Sequence, residues 1–234
     1  QTWATRYLEV HTVNDKSAEE FVKWVQAWSE KSQLTLATAP ALYTAKVAAL
    51  TTFKVIEKTA VNDHNDTFTL RLKPNSATRF QSGDLLTIYP ADDQRERYYS
   101  IAKDSEGILQ LVVKLFPNGL GSSYLYNLSP SQELKARIVV NKNFHFPTNA
   151  KAVVMIGNGT GIAPFLGMIM NNHEQTPIHL YAGFRKSNDL TWQYEQFALK
   201  EMAAKHLAHF EIAYSREQKK QYVMDLIKRD AQYI

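Results

Sequence analysis

The stretch that decides the fold is Ala152-Val-Val-Met-Ile-Gly-Asn-Gly-Thr-Gly-Ile-Ala-Pro-Phe165. Its first five residues form a continuous apolar run, which is typical of a parallel strand that is buried on both faces. Gly157, Gly159 and Gly161 follow, and Pro164 suits the first turn of a helix. Glycines between a strand and a helix let the backbone approach a phosphate, which the helix N–H groups and macrodipole attract. The stretch therefore favours a nucleotide site, although such turns also serve packing alone.

The residues after this stretch alternate between strands and helices. Apolar segments at 178–182 and 210–214 predict strands, and the segments at 192–205 and from about Gln218 predict helices. Strands that alternate with helices indicate a doubly wound parallel sheet. We therefore expect an α/β domain at residues 148–234.

The residues before the stretch have the period of β structure. A short helix is expected at 122–128, and strands are expected around 53–56, 68–72, 85–89, 97–102, 108–115 and 133–140. Turns rich in Gly, Pro, Asn and Asp separate the strands, which is typical of an antiparallel barrel or sandwich. We therefore expect an antiparallel β-barrel at residues 53–147.

The first 52 residues are too few for a domain of their own. Tyr7–Val13 alternates as a strand does, and Ser17-Ala-Glu-Glu20 has the pattern of a capping box. In the helix that this box would begin, Phe21, Val25 and Trp28 share one face. Residues 31–52 are expected to form a linker.

Composition excludes several classes of function. The 234 residues contain no cysteine, which excludes disulfides, thiolate metal sites and cysteine nucleophiles. The seven histidines have no metal-ligand spacing, so no metal site is expected. The net charge is +4, and acidic residues interrupt the basic ones along the sequence. This pattern favours a solvated surface over nucleic-acid binding. No apolar run reaches the roughly 20 residues of a membrane helix, and the polar residues 1–6 predict no signal peptide.

Two segments of the barrel half have residue types that a flavin requires. Arg97-Tyr-Tyr-Ser100 offers a cation for a pyrophosphate, an aromatic face for a ring system and a hydroxyl near the reactive nitrogen. Gly119-Leu-Gly-Ser-Ser123 opens a short helix, which could hold a pyrophosphate. Taken alone, the first segment could be an exposed strand, and the second could be a turn with a serine cap.

A fourth segment follows the third strand of the α/β half. It contains Ser215, Arg216, Lys220 and Tyr222. An arginine at this place can bind the 2′-phosphate of NADP, whereas NAD sites place an acidic residue after the second strand. That strand ends in Tyr181-Ala-Gly183, without an acid. The alternative is a charged, solvated helix start.

Together these segments resemble the ferredoxin–NADP reductase superfamily, and more narrowly its diflavin branch of sulfite reductase flavoproteins and NADPH–cytochrome reductases. The resemblance covers about residues 53–230. It extends to Asn143-Phe-His-Phe-Pro147 between the two halves and to Gly183-Phe-Arg185 after the second strand of the α/β half. It implies a flavoprotein that passes a hydride from NADPH to FAD.

The resemblance also implies a role for each matching residue. Tyr99 would stack on the flavin and Ser100 would sit near the nitrogen that accepts the hydride, which makes these two the expected catalytic residues. Arg97 would hold the FAD pyrophosphate. The remaining cofactor-binding residues would be Gly119, Leu120, Gly121 and Ser122 for FAD, and Gly159, Thr160, Gly161, Arg185, Ser215, Arg216, Lys220 and Tyr222 for NADPH.

Three further expectations concern the parent protein. Residues 10–28 resemble the closing strand and helix of a flavodoxin-like FMN domain, and the alternative is an N-terminal extension particular to this protein. Electrons would pass to an FMN domain or another acceptor. The chain lacks the large helical insertion of the diflavin enzymes, and it ends before their last strand and C-terminal aromatic residue, so we expect an excerpt of a longer protein. We expect it in the cytoplasm, alone or as part of a membrane-tethered protein. The alternatives are a non-catalytic or regulatory flavin-binding fragment and a ferric-siderophore or flavin reductase on the same fold.

Overall fold

The structure is a computed structural model that describes residues 7–13, 18–35, 49–62, 65–90 and 96–232. It consists of two compact units, residues 1–49 and residues 50–234. The described helices are α1 (Ala18–Ser32), α2 (Leu120–Asn127), α3 (Ala163–Met170), α4 (Asp189–Ala203) and α5 (Val223–Asp230). The described strands are β1 (Thr51–Lys58), β2 (Thr67–Pro74), β3 (Leu85–Ile88), β4 (Arg97–Ser100), β5 (Ala102–Lys103), β6 (Leu109–Lys114), β7 (Glu133–Val139), β8 (Val153–Asn158), β9 (Ile178–Phe184) and β10 (His209–Tyr214).

In the first unit, the described residues contain one helix, α1, which has an aromatic face. Val25 is buried in it, and the ring of Trp28 lies 6.0 Å from that of Trp24 and 5.5 Å from that of Tyr7. The strand expected at Tyr7–Val13 is wrong, because these residues are mostly exposed and pair with no strand among the described residues. The N-cap expected at Ser17 and most of the expected linker lie outside the described residues.

The barrel is a seven-stranded antiparallel sheet in the order β4-β3-β7-β1-β2-β6-β5. Its two edge strands, β4 and β5, are separated by Ile101 alone, so the edges approach each other and the sheet nearly closes. Ile101 N–H donates to Asp84 O, and Ile101 O accepts from Gly83 N–H. This corner divides the expected strand 97–102 into two strands. The alternating apolar residues of the strands fill the interior, where Phe53, Phe68 and Leu86 are fully buried.

The α/β half is a parallel sheet in the order β10-β9-β8, with helices between the strands. This confirms the expected fold class of a barrel followed by an α/β sheet. One detail is wrong: β8 is not buried on both faces. Val154 and Ile156 are 39% and 49% exposed, because β8 is an edge strand of the described sheet and α5 packs against β9 and β10 instead.

A tight seam joins the barrel to the α/β half. Helix α3 packs against β5, and a Cβ atom on Gly167 would lie 2.3 Å from Ser82 Oγ and 2.6 Å from the backbone nitrogen of Lys103. Phe144, in the segment between the halves, packs on Phe165 with ring centroids 5.6 Å apart. We call these contacts the domain seam. None of the helices in the described part of the chain combines the length and apolar composition needed to cross a bilayer.

Candidate functional site

Strand β4 presents its predicted site residues on two different faces. Side chains alternate along a strand, so Arg97 and Tyr99 share one face while Tyr98 and Ser100 share the other. Tyr99 lies opposite the fully buried Leu86, packs against the barrel core, and has its pKa raised by burial. Ser100 is exposed. The two residues expected to be catalytic are therefore adjacent in sequence but lie on opposite faces of the strand.

The N-terminus of α2 lies against Arg97 and Tyr99. A Cβ atom on Gly121 would be 2.6 Å from Tyr99 Oη and 3.1 Å from Arg97 Cγ, so only glycine fits this approach without displacement. Gly119 precedes the helix and no side chain caps it, which leaves helix N–H groups for another acceptor. Leu120, the first residue of the helix, is 47% exposed.

Two polar side chains fix the position of α2. The Ser122 hydroxyl accepts from Phe116 N–H at 3.1 Å and is 3.3 Å from Gly119 O, to which it donates. At the other end, Lys58 Nζ donates to the carbonyl groups of Tyr126 and Leu128, which places a cation at the negative pole of the helix dipole. The hydroxyl expected to bind phosphate thus also maintains the turn before the helix.

The groups around β4 and α2 fit the needs of FAD. The Arg97 side chain and the Tyr99 hydroxyl both lie against the uncapped N-terminus of α2, because a Cβ atom on Gly121 would be 3.1 Å from Arg97 Cγ and 2.6 Å from Tyr99 Oη. Arginine and helix N-termini are the groups that commonly bind pyrophosphate, and aromatic rings stack on planar ring systems.

The glycine loop after β8 is open to solvent. It forms a short 3-10 turn at Gly159–Ile162 that leads into α3, whose first turn contains Pro164. Gly159 has φ of +54°, a left-handed conformation that favours glycine, and added Cβ atoms on Gly159 or Gly161 would meet nothing within 4 Å. The loop can therefore receive a ligand on this side without a steric obstacle.

A cavity of about 630 Å³ lies between this loop and the barrel. Most of the residues expected to bind the nucleotide line it, namely Gly159, Thr160, Arg185, Ser215, Arg216 and Tyr222. Gly161 and Lys220 are exposed and are not part of its lining. The helix expected from about Gln218 begins only at Val223, because Gln221 N–H is bonded to Tyr214 O and the segment between follows the rim of the cavity.

Backbone hydrogen bonds hold the two arginines side by side. Beyond the ends of β9 and β10, Ser215 N–H donates to Phe184 O at 3.0 Å and Arg216 N–H donates to Arg185 O at 2.8 Å. The Ser215 hydroxyl also donates to Phe184 O, at 3.3 Å. Both guanidinium side chains are exposed, which leaves them accessible to an anion.

The cavity is lined by an excess of positive charge. Among the described lining residues the cations are Lys114, Arg185, Lys186 and Arg216, and the one anion is Asp66. Lys114 Nζ lies 2.7 Å from Asp66 Oδ2. Sequence reasoning missed this barrel side of the cavity. Lys114 directly follows the apolar residues of β6, and nothing in the local pattern indicates that the strand ends opposite the glycine loop.

Family models match both halves of the chain. Residues 52–140 match the oxidoreductase FAD-binding domain, and residues 155–232 match the oxidoreductase NAD-binding domain. The two models divide the chain at the same region as the barrel and the parallel sheet.

Individual relatives agree with these models. The chain is 32% identical over 164 residues to NADPH–cytochrome P450 reductase of Sus scrofa, which covers 59% of this chain and 24% of that protein. It is 29% identical over 115 residues to NADH–cytochrome b5 reductase 2-A of Vanderwaltozyma polyspora, covering 47% and 38%. The chain thus spans about a quarter of the P450 reductase that it matches.

The fold has a solved counterpart. Ferredoxin–NADP+ reductase from Plasmodium falciparum superposes with a TM-score of 0.66 at 20% identity, covering 81% of each chain. Two family models, the curated relatives and this fold lead to one assignment. The chain belongs to the NAD(P)H-dependent flavoprotein oxidoreductases, with the FAD-binding domain first and the NAD-binding domain second, and its fold is that of ferredoxin–NADP+ reductase.

Proposed function

We propose that this chain is the FAD/NADPH module of a reductase that transfers a hydride from NADPH to FAD and passes the electrons to an FMN domain or another acceptor. The observation that carries the proposal is the cavity between the glycine loop and the barrel. It lies where the FAD-binding and NAD-binding domains meet, and Arg185 and Arg216 line it. We place the barrel domain at residues 53–147 and the nucleotide domain at residues 148–234.

The flavin, when bound, supplies the hydride acceptor and the change from two-electron to one-electron chemistry. The protein supplies binding and orientation. We assign Tyr99 to stacking on the ring system, because it is an aromatic side chain held rigidly by the barrel core. We assign Arg97 and the backbone of Gly119–Gly121 to the pyrophosphate, since the Arg97 side chain lies against the uncapped N-terminus of α2.

The proposed role of Ser100 is harder to reconcile with the structure, because Ser100 lies on the face of β4 opposite to Tyr99. Its exposed hydroxyl can serve a ring nitrogen only if the ring reaches past the edge of the strand at this residue. We keep the proposed role, because Ser100 is exposed and is the last residue of β4, which is an edge strand of the sheet.

The nucleotide cavity favours NADPH over NADH. Ser215 and Arg216 stand at its rim after the third strand, and the second strand ends in Phe184 without an acidic residue. A 2′-phosphate is a dianion that arginine can bind with paired, charge-assisted hydrogen bonds, and an acid would repel it. We therefore propose that Ser215, Arg216 and Tyr222 bind the 2′-phosphate end, with Lys220 reaching in from the exposed loop.

The partner that we propose is an FMN or flavodoxin-like domain, or another one-electron carrier. The two curated relatives are named for different proteins, cytochrome P450 and cytochrome b5. The cytoplasm is the compartment that we propose, in keeping with a chain that has no cysteine and needs no oxidising environment.

Anaerobic reduction of the FAD-loaded protein tests the proposal. NADPH is expected to bleach the visible flavin absorbance, and NADH at the same concentration is expected to act more slowly. A protein that binds FAD but is bleached by neither nucleotide would be a flavin-binding fragment without reductase activity. A protein that stays colourless after incubation with FAD and desalting would contradict the flavin site itself.

A further inference from the structure

A group of polar side chains lies on one face of the parallel sheet, at the end opposite the nucleotide cavity. His209 and Glu211 are two residues apart on β10, so they share a face, and the parallel register places them beside His179 and Tyr181 of β9. The ring of His209 lies 5.3 Å from that of Tyr181 and 5.8 Å from that of His179. Interior faces of parallel sheets are normally apolar, so this group calls for an explanation.

Helix α5 completes the group from above the same face. Asp230, its last residue, accepts a hydrogen bond from Tyr181 Oη at 2.9 Å. Arg229 binds both carboxylates: its Nε is 2.7 Å from Asp230 Oδ1, and its Nη1 is 2.9 Å from Glu211 Oε1. These bonds lower the pKa of Asp230 to about 2, chiefly through the hydrogen bond from Arg229.

The imidazole of His209 is the group that these contacts leave unsatisfied. Its Nε2 atom is buried and makes no hydrogen bond. It lies 3.7 Å from Glu211 Oε2 and 3.7 Å from Asp230 Oδ2, too far for hydrogen bonds but suitably placed for a shared cation. One nitrogen and two carboxylate oxygens thus converge, all within 4.8 Å of one another.

We propose that His209, Glu211 and Asp230 form a binding site for a divalent transition-metal ion such as Zn²⁺. Zinc binds imidazole nitrogen and carboxylate oxygen at about 2.0–2.2 Å in a tetrahedral arrangement, so the ligand atoms on one ion are about 3.4 Å apart. His209 Nε2 lies 3.7 Å from each of the two carboxylate oxygens, so these two distances need only a small contraction. Sequence spacing could not reveal this site, because Asp230 comes from a separate helix, whereas the expectation of no metal rested on local patterns.

Arg229 would compete with the ion for the carboxylates of Glu211 and Asp230. Its guanidinium holds the two carboxylates in place, but its side chain is 52% exposed and can turn into solvent. The metal would replace one positive charge by two and would satisfy His209 Nε2, which Arg229 leaves without a partner. Tyr181 would orient Asp230 as an outer-shell donor.

The position of the site gives binding a consequence. Helix α5 begins at Val223, which lines the nucleotide cavity, and ends at Asp230. An ion that ties Asp230 to β10 would fix the helix at one end, while the residues that contact the nucleotide lie at the other.

Calorimetric titration of the untagged chain with Zn²⁺ tests the proposal. One ion per chain is expected to bind, and Arg229→Gln is expected to bind it about tenfold more tightly, because a charge-assisted pair no longer competes. His209→Ala and Glu211→Gln are each expected to weaken binding at least about tenfold, and Tyr181→Phe by a similar factor. Circular dichroism of each variant checks that the fold is retained. If a variant of a buried residue does not fold, Arg229→Gln still tests the proposal, because Arg229 is exposed.

The control is His173→Ala. His173 belongs to a different histidine pair, with the ring of His206 at 5.9 Å, and its loss is expected to leave Zn²⁺ binding unchanged. The proposal is overturned if neither the natural protein nor Arg229→Gln takes up Zn²⁺, or if His209→Ala binds it as tightly as the natural protein.

Discussion

The proposed flavin site and the proposed nucleotide site are built in opposite ways. Around Tyr99 and Gly121 the side chains are packed, and Ser122 is engaged in internal hydrogen bonds. Around Arg185 and Arg216 the side chains are exposed and surround an open cavity. Residues of the first site therefore contribute to folding as well as binding, whereas those of the second contribute to binding almost alone. The four predictions below test this difference, from the largest expected effect to the smallest.

Replacing Tyr99 should damage folding and flavin binding together. Tyr99→Ala removes a ring that packs on the barrel core, and we expect the free energy of unfolding to fall by about 2–3 kcal/mol. Loss of stacking should weaken FAD by roughly a further 1 kcal/mol. Denaturant unfolding and FAD titration measure the two effects.

The neighbouring Tyr98 is the matched control. It is 52% exposed on the other face of β4, so Tyr98→Ala should change both quantities by less than about 1 kcal/mol. If Tyr98→Ala abolishes FAD binding while Tyr99→Ala does not, the flavin lies on the opposite face from the one that we propose.

Replacing Arg216 should affect binding without affecting folding. Arg216→Ala should weaken NADPH about tenfold to a hundredfold, because one or more charge-assisted hydrogen bonds to the 2′-phosphate are lost. NADH affinity and the free energy of unfolding should hardly change, since the side chain is exposed. Titration of both nucleotides measures this, with Lys219→Ala as a control for general loss of charge. An equal loss for NADH and NADPH would mean that Arg216 does not recognise the 2′-phosphate.

The barrel side of the cavity offers a pair of opposite substitutions. Lys114→Gln should weaken nucleotide binding a few-fold, and Asp66→Asn should strengthen it by a similar factor, because the two side chains form an ion pair at the cavity. Both effects should shrink as salt is added. Changes of the same sign in the two variants would show that the pair acts through folding.

A network beside Arg97 should make a small, pH-dependent contribution to stability. Hydrogen bonds from Tyr89, Tyr98 and Arg137 lower the pKa of Glu96 to about 2. A carboxyl group whose pKa is lower in the folded state stabilises the protein at pH values above its pKa in the unfolded state. This stabilisation is lost as the pH falls toward its pKa in the folded state. Glu96→Gln should therefore cost less than about 1 kcal/mol near neutral pH, given the partial exposure of the side chain. The difference from the natural protein should disappear between about pH 4.5 and pH 2, and a difference that grows on acidification would contradict the assignment.

Local sequence patterns predict most of the helices and strands but do not predict which of them lie side by side. The alternation at Phe68, Leu70 and Leu72 and the glycines after β8 indicate a barrel and an α/β sheet, because period and turn chemistry are local properties. The apolar run at Ala152–Ile156 predicts a strand that is buried on both faces, but burial depends on which strands and helices lie alongside. The same limit explains why Lys114 was missed: it reaches the cavity through the fold, and its sequence neighbours give no indication of this.

The missing side chain of Gly167 has a consequence for both cofactor sites. A glycine inside a helix costs roughly 0.5–1 kcal/mol relative to alanine, and here it lets α3 touch the backbone of β5. Because α3 also follows the glycine loop, the separation of the two proposed cofactor sites depends on the close contact that the absence of a side chain at Gly167 allows. Hydride donors and acceptors react only when they are about 3–3.5 Å apart, so a shift of roughly 1 Å at this contact would be felt as lost turnover with both binding sites intact. If the chain is the reductase module that we propose, its rate is thus sensitive to a position that touches neither cofactor.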